Sequence, residues 1–118
     1  SMDEKFLEKV MQAVETYMGD PDFNMEKFGQ EVGLSRMQLH RKLKALTGES
    51  PGDLLRTMRL RRAKRLLEAR SGNVSEIAYE VGFNNLSYFS KCYREQFGLT
   101  PNETLSSNVT NVAGNVTP

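Results

Sequence analysis

Residues 50–70 read SPGDLLRTMRLRRAKRLLEAR, and this stretch predicts one long helix. Ser50 is a favoured helix cap, and Pro51 is tolerated in a first turn, where its missing N–H costs no hydrogen bond. No Pro or Gly interrupts the run after Gly52. At about 100° per residue, one arc is apolar and the largely opposite arc is basic. The apolar arc holds Leu55, Leu60, Ala63, Leu66 and Leu67, and the basic arc holds Arg61, Lys64 and Arg65. A helix of this length spans roughly 30 Å, close to the roughly 34 Å of one turn of B-DNA.

The positive charge is concentrated in the middle of the chain. The net charge is only +1, but residues 36–70 hold 11 basic and 3 acidic side chains. Residues 1–35 hold 3 basic and 8 acidic side chains, and residues 71–118 hold 2 and 4. A clustered basic region attracts a polyanion such as DNA whatever the average charge is. The alternative is a solvated helix face, which charge alone does not distinguish from a DNA-binding surface.

The residue inventory excludes several kinds of site. The chain has one cysteine, Cys92, and one histidine, His40, so it forms no internal disulfide and no zinc site from thiols and imidazoles. We therefore expect no metal and no cofactor. No apolar run is long enough for a transmembrane helix and no secretory signal is present, so we expect a cytoplasmic protein without membrane contact. Ser1-Met2 resembles a cloning remnant, which suggests a fragment of a longer protein.

The sequence before the long helix predicts a first helix-turn-helix unit over residues 3–48. Residues 3–18 have the apolar spacing of an amphipathic helix that covers a core. Asn24 is expected to cap a short helix over residues 25–32. Two short helices that meet at a tight turn are typical of a helix-turn-helix, whose second helix enters the major groove of DNA.

The second helix of this unit begins with a clear signal. Ser35 and Gln38, three residues apart, form a capping box that opens a helix through Thr47, and Gly48 ends it. The residues expected to face inward are Leu39, Leu43 and Leu46.

The same pattern returns over residues 73–105. Asn73 with Glu76 opens a helix, and Asn84 or Asn85 caps the next one. The matching pairs are Val32 with Val81 at an offset of 49, and Leu39 with Phe89, Leu43 with Tyr93, Gly48 with Gly98 and Pro51 with Pro101 at an offset of 50. One extra residue in the second turn explains the change of offset. Matches in this order indicate an internal duplication of one supersecondary unit.

These elements predict an all-α chain of two helix-turn-helix units joined by the long helix. The expected domain covers residues 3–105, with the joining helix at 50–70. Residues 106–118 carry no charged side chain and few large apolar ones, so a disordered tail is expected there.

At this point the chain resembles the DNA-binding domain of AraC/XylS-type transcription regulators. The residues that carry the resemblance are Pro51-Gly52-Asp53-Leu54-Leu55 in the joint, and Ile77-Ala78-Tyr79-Glu80-Val81-Gly82-Phe83, Ser87-Tyr88-Phe89-Ser90-Lys91 and Phe97-Gly98-Leu99-Thr100-Pro101 in the second unit. The match covers roughly residues 8 to 104. It implies a homeodomain-like fold and sequence-specific binding of double-stranded DNA by a monomer on an asymmetric site.

Within the first unit, residues 34–44 resemble most closely the corresponding stretch of hybrid two-component regulators. That resemblance implies a missing upstream sensor and receiver, or a ligand-binding domain, in the full protein. It also implies RNA polymerase as a partner during transcription regulation.

The resemblance also implies which side chains contact DNA. Base contacts are expected from Arg36, Met37, Gln38, His40 and Arg41 in the first unit, and from Asn85, Ser87, Ser90 and Lys91 in the second. Arginine binds guanine in a bidentate manner and glutamine suits adenine, whereas Met37 either packs beside the helix or touches a thymine methyl. Phosphate contacts are expected from Lys44, Arg61, Arg65 and Arg94.

Two other function classes compete with this interpretation. An enzyme would need a catalytic constellation, and the sequence shows neither a Gly-rich phosphate loop nor a catalytic motif around His40 or Cys92. A helical protein-interaction module fits the near-neutral net charge, but the duplicated units with basic second helices favour DNA. Two further expectations are structural: Arg59, on the apolar arc, should form a buried ion pair, and Cys92 should be inert and half packed.

Overall fold

A computed structural model describes residues 1–107 of the chain. These residues form seven helices and no strand, which confirms the all-α prediction. The helices are α1 (Met2–Tyr17), α2 (Met25–Glu31), α3 (Arg36–Thr47), α4 (Pro51–Glu68), α5 (Val74–Glu80), α6 (Leu86–Phe97) and α7 (residues 101–107). The chain divides into two compact units between Arg59 and Leu60, within α4. Most of the expected disordered tail, residues 108–118, lies outside the described residues.

The first unit has its own apolar core. Side chains from α1, α2 and α3 meet there, and Val14, Phe28, Leu39 and Leu43 have no exposed surface. The start of α4 adds Leu55 to the same core. Leu46, predicted to face inward, is 39% exposed. Leu39 and Leu43 already occupy the narrow buried stripe of α3, and Leu46 lies at its edge.

The turns of the first unit follow the predicted capping chemistry. Asn24 Oδ1 accepts the Lys27 N–H at 2.9 Å. Ser35 Oγ accepts the Gln38 N–H at 3.2 Å, and Gln38 Oε1 accepts the Ser35 N–H at 2.9 Å, so the capping box is complete. The approach of α2 to the turn is close, because a Cβ on Gly29 would lie 2.5 Å from the Leu34 carbonyl oxygen.

Arg59 does not form the buried ion pair that the sequence suggested. Its guanidinium donates to the Met18 carbonyl from Nε at 2.7 Å and to the Asp20 carbonyl from Nη2 at 2.8 Å. These carbonyls follow the end of α1, where backbone acceptors have no partner inside the helix. Burial lowers the pKa of Arg59 and the charge of Asp20 opposes that shift. The side chain thus ties the middle of α4 to the end of α1 through backbone acceptors.

The second unit has a separate, more aromatic core. Ile77 and Ala78 of α5 pack with Phe83 and with Phe89 and Tyr93 of α6, all of them buried. A capping box of Asn73 and Glu76 opens α5, as predicted. Of the two candidate caps for α6, Asn85 is the one used: its Oδ1 accepts the Tyr88 N–H at 2.8 Å. Cys92 is 5% exposed, so the expectation of a half-packed thiol was wrong.

A final helix, α7, runs past residue 105, where the expected domain ended. Thr100 and Glu103 form reciprocal hydrogen bonds that cap α7, at 3.0 and 3.1 Å. The buried hydroxyls of Thr104 and Tyr93 lie 2.8 Å apart, which fixes α7 against α6. Helical structure continues through residue 107, two residues into the tail that the sequence predicted to be disordered.

Helix α4 ends two residues before the predicted Arg70. Arg70 adopts a left-handed backbone with φ of 55°. The Ser71 N–H donates to the Leu66 carbonyl at 2.9 Å and the Arg70 N–H donates to the Leu67 carbonyl at 3.1 Å. This pair of bonds is the Schellman pattern, which usually places glycine at the left-handed position. The predicted basic arc also needs correction, because Lys64 is half-buried with Nζ 4.9 Å from the centroid of the Phe97 ring.

No helix among residues 1–107 combines the length and the apolar character needed to cross a bilayer.

Candidate nucleic-acid interface

Helix α3 presents a continuous outer face of polar and basic side chains. Leu39 and Leu43 anchor the inner face, so their neighbours in the helix project outward. The predicted contact residues Arg36, Met37, His40, Arg41 and Lys44 are all exposed. Because Ser35 caps the helix and the core fixes its rotation, this face is held on a rigid scaffold.

Gln38, the predicted adenine reader, is exposed but engaged. Its Oε1 accepts the Ser35 N–H in the capping box. Bidentate reading of adenine needs both the oxygen and the nitrogen of the amide. An amide oxygen has two lone pairs, so Gln38 keeps one acceptor site on Oε1 as well as its Nε2 donors while the capping bond is made.

Helix α6 presents the equivalent face in the second unit. Ser87, Lys91 and Arg94 are exposed, and Ser90 is half-buried. Asn85 is exposed, but its side-chain oxygen is used as the α6 cap. The first turn also exposes two large side chains that the sequence reasoning left out, Leu86 at 39% and Tyr88 at 48%. The offset of 50 gave a signal for them, since it aligns Leu86 with Arg36 and Tyr88 with Gln38.

Comparisons with known proteins find the same kind of domain in other proteins. The family model described as a helix-turn-helix domain matches residues 28–107. Histidine kinase P4 of Formosa agariphila is 42% identical over 103 residues, which are 87% of this chain and 8% of the kinase. A transcriptional regulator from Chromobacterium violaceum, solved as a crystal structure and described as having an AraC-type DNA-binding domain, gives a TM-score of 0.81 at 30% identity. That match covers 89% of this chain and 93% of the other.

The chain belongs to the AraC/XylS family. The DNA-binding domain of AdpA, described as a global transcriptional factor and solved with a target DNA, gives a TM-score of 0.79 at 27% identity. It covers 96% of this chain and 97% of that one. The AraC-type chain is thus a DNA-binding domain of a transcription regulator, a class that is not enzymatic. The chain covers 8% of the length of the kinase and less than a third of the length of two other relatives, both transcriptional activators named RhaS.

The two outer faces of this AraC-type domain differ in charge. Helix α3 carries four basic residues and no acidic one, and α6 carries Lys91, Arg94 and the acidic Glu95. One of the four, Lys42, turns toward α1 and places Nζ 4.5 Å from the centroid of the Phe6 ring. Even so, α3 has the greater excess of positive charge on its exposed surface. Since phosphate attraction scales with the number of neutralised phosphates, the first unit is the more cationic partner for DNA.

The joining helix also places basic side chains at the surface. Arg61 and Arg65, predicted to meet phosphates, are both exposed. Arg56 lies nearer the start of α4 and pairs with Asp53, with Nη2 2.7 Å from Oδ1. Hydrogen bonds from Arg56 and then Ser50 hold the pKa of the Asp53 carboxyl below its ordinary value. Arg56 therefore forms a partly exposed ion pair within the helix.

Proposed function

We propose that this AraC-type domain reads an asymmetric site in double-stranded DNA with α3 and α6, each in a major groove. The observation that carries the proposal is the repeated construction of the two units. Each has a capped helix whose inner face is fixed by a core of its own and whose outer face is exposed. A rigid helix with exposed donors in its first turns is the standard device for reading base edges.

The residue roles follow from exposure and chemistry. Arg36 and Arg41 offer guanidinium groups for guanine, and Lys91 offers an ammonium at the position matching Arg41. Met37, His40, Ser87 and Ser90, together with Gln38 and Asn85, complete the proposed base-contacting set. The side-chain oxygens of Gln38 and Asn85 also accept the hydrogen bonds that cap α3 and α6. Lys44, Arg61, Arg65 and Arg94 are proposed to bind phosphates, which position the domain without reading sequence.

The wider biological setting is also part of the proposal. The 42% identity with a histidine kinase supports a role as the output domain of a hybrid sensor kinase. In that setting, an upstream sensor and receiver control when the domain engages its DNA. RNA polymerase is then the partner that acts on the bound promoter, and the cytoplasm is the compartment.

Selection from a random duplex library tests the DNA-reading role directly. The purified 118-residue chain selects sequences, and fluorescence anisotropy measures the affinity of the winners at several salt concentrations. The expected result is a motif of two different blocks, with binding that weakens steeply as salt rises. A single block would restrict base reading to one unit. Binding without sequence preference would refute base reading, and no salt-sensitive binding would favour the protein-interaction module.

A further inference from the structure

We propose that the second unit reads its DNA through thymine methyl groups, using Leu86 and Tyr88. This inference rests on the proposed function and concerns the chemistry of one half of the site. Both residues lie in the first turn of α6, where a recognition helix comes nearest to the bases. Leu86 is 39% exposed and Tyr88 is 48% exposed, although α6 has a well-filled core beneath it.

The matching positions of the first unit show that this surface is a departure. The offset of 50 pairs Leu86 with Arg36 and Tyr88 with Gln38. A guanidinium and an amide in α3 are thus replaced by an isobutyl group and a phenol ring in α6. Neither replacement provides the bidentate hydrogen bonds that read guanine or adenine. The first turn of α6 therefore needs a base feature that apolar contact recognises.

The apolar surface is also ordered before any ligand arrives. The Tyr88 N–H donates to Asn85 Oδ1, which fixes the backbone of the first turn. The Tyr88 ring packs against Phe83, with centroids 6.1 Å apart and planes at 51°. Phe83 is itself 6% exposed and belongs to the core. Two apolar side chains are thus exposed in the first turn of the proposed recognition helix, where they are available for contact with the bases.

In the major groove, the feature that meets these requirements is the C5-methyl of thymine. It is the apolar group that the four base pairs present there, and it is recognised by apolar side chains. Between Leu86 and Tyr88 in the sequence lies the exposed Ser87, whose hydroxyl donates one hydrogen bond and accepts others. The second block of the binding site is accordingly rich in thymine, while the first contains the guanine read by arginine.

Uracil substitution tests this inference because dT→dU removes only the methyl and keeps the pairing edge. The block read by the second unit is identified as the one whose preference Lys91→Ala relaxes. Each thymine of that block is then replaced singly in the selected duplex. The expected result is a loss of affinity of about fourfold at one or more positions, the equivalent of one buried methyl-sized group.

Variants assign the effect to the two side chains. In Leu86→Ala or Tyr88→Ala, the loss on uracil substitution should shrink toward zero at the position that the side chain contacts. Tyr79→Ala is the matched control, because Tyr79 is an exposed tyrosine of α5 outside the proposed contact set, and it should retain the full uracil effect. Tyr88→Leu keeps an apolar group and should retain part of it, which separates readout from a general loss of folding.

The outcomes distinguish this inference from the proposed function. Sequence-specific binding that is insensitive to uracil throughout the second block would overturn the inference alone. A uracil effect that persists unchanged in both Leu86→Ala and Tyr88→Ala would also overturn it. Failure of the chain to bind any duplex would overturn the proposed function, and the inference with it.

Discussion

The turn between α2 and α3 and the turn between α5 and α6 make the same hydrogen bond with different numbers of residues. In the first, the Leu34 N–H donates to the Gly29 carbonyl at 2.8 Å. In the second, the Phe83 N–H donates to the Ala78 carbonyl at 3.0 Å. The second turn has one more residue, Asn84, before its helix cap. A Cβ on Gly29 would lie 2.5 Å from a carbonyl oxygen, whereas the matching Ala78 carries its Cβ in a filled core.

The difference teaches that one extra turn residue relaxes the packing demand on the preceding helix. The shorter turn brings its backbone onto α2 and requires glycine there. The longer turn admits a side chain at the matching site. The two cores differ as well. Leu39 and Leu43 of α3 occupy the sequence positions that match Phe89 and Tyr93 of α6. The duplicated unit has thus kept this turn hydrogen bond while its core and its outer face have changed.

The largest expected effect comes from the aromatic core. Phe89→Ala removes a ring without exposed surface and should destabilise the second unit by about 3–5 kcal/mol. The matched Leu39→Ala should cost about 2–5 kcal/mol in the first unit. Urea denaturation gives the free energy of unfolding, and amide hydrogen exchange assigns the loss to a unit. Greater destabilisation by Leu39→Ala than by Phe89→Ala would contradict this ranking.

The glycine contrast is the next largest. Gly29→Ala should destabilise the first unit by about 1–3 kcal/mol, because the new Cβ overlaps a backbone oxygen that cannot move freely. The reverse change, Ala78→Gly, should cost only about 1 kcal/mol through helix propensity and lost packing. Insertion of Asn between Leu34 and Ser35 should reduce the cost of Gly29→Ala. A Gly29→Ala protein as stable as its parent would show that the shorter turn imposes no such demand.

The outer faces can be compared on a selected duplex. Arg41→Ala should lose about 1–3 kcal/mol of binding free energy and relax the preference in one block. Lys91→Ala should relax the preference in the other block. Lys44→Ala is the control for a phosphate contact, and should weaken all sequences alike and reduce the salt slope by about one. If Arg41→Ala loses as much affinity on random DNA as on the selected site, its base-reading role is refuted.

The smallest expected effect concerns the capping role of Gln38, measured apart from its proposed contact with DNA. Without DNA, Gln38→Ala should lower stability by about 0.5–1 kcal/mol, because the Ser35 N–H loses its acceptor. Met37→Ala is the control, since Met37 is 72% exposed and should change stability little. Thermal unfolding of the free domain measures both. No difference between the two variants would mean that the bond from the Ser35 N–H to Gln38 contributes nothing in solution.

The sequence predicted most of what depends on local chemistry. Asn24, Ser35 and Asn73 cap the predicted helices because capping involves residues only three apart. The duplication predicted the second unit before its details were known. The predicted end of α4 was wrong because a non-glycine residue, Arg70, adopts the left-handed conformation that sequence rules assign to glycine.

Features set by distant contacts were the ones that the sequence missed. The partners of Arg59 are carbonyls about 40 residues earlier in the chain, and no local pattern indicates them. The side-chain positions of Leu86 and Tyr88 depend on how α6 rotates over its core. The alignment with the predicted contact residues Arg36 and Gln38 pointed to these two positions, but only the structure shows that Leu86 and Tyr88 are exposed. The DNA contacts themselves stay predictions, and their residues lie on the outer faces of α3 and α6 and on α4.

Cys92 is a natural thiol-labelling probe for local unfolding of the second unit. It is the only cysteine of the chain and is buried in the second core, so a thiol reagent reaches it only when that core opens. The labelling rate therefore reports the open population of one unit, and the first unit contributes no background. Comparison of the labelling rates with and without a bound duplex gives the extent to which DNA reduces the opening of the second core.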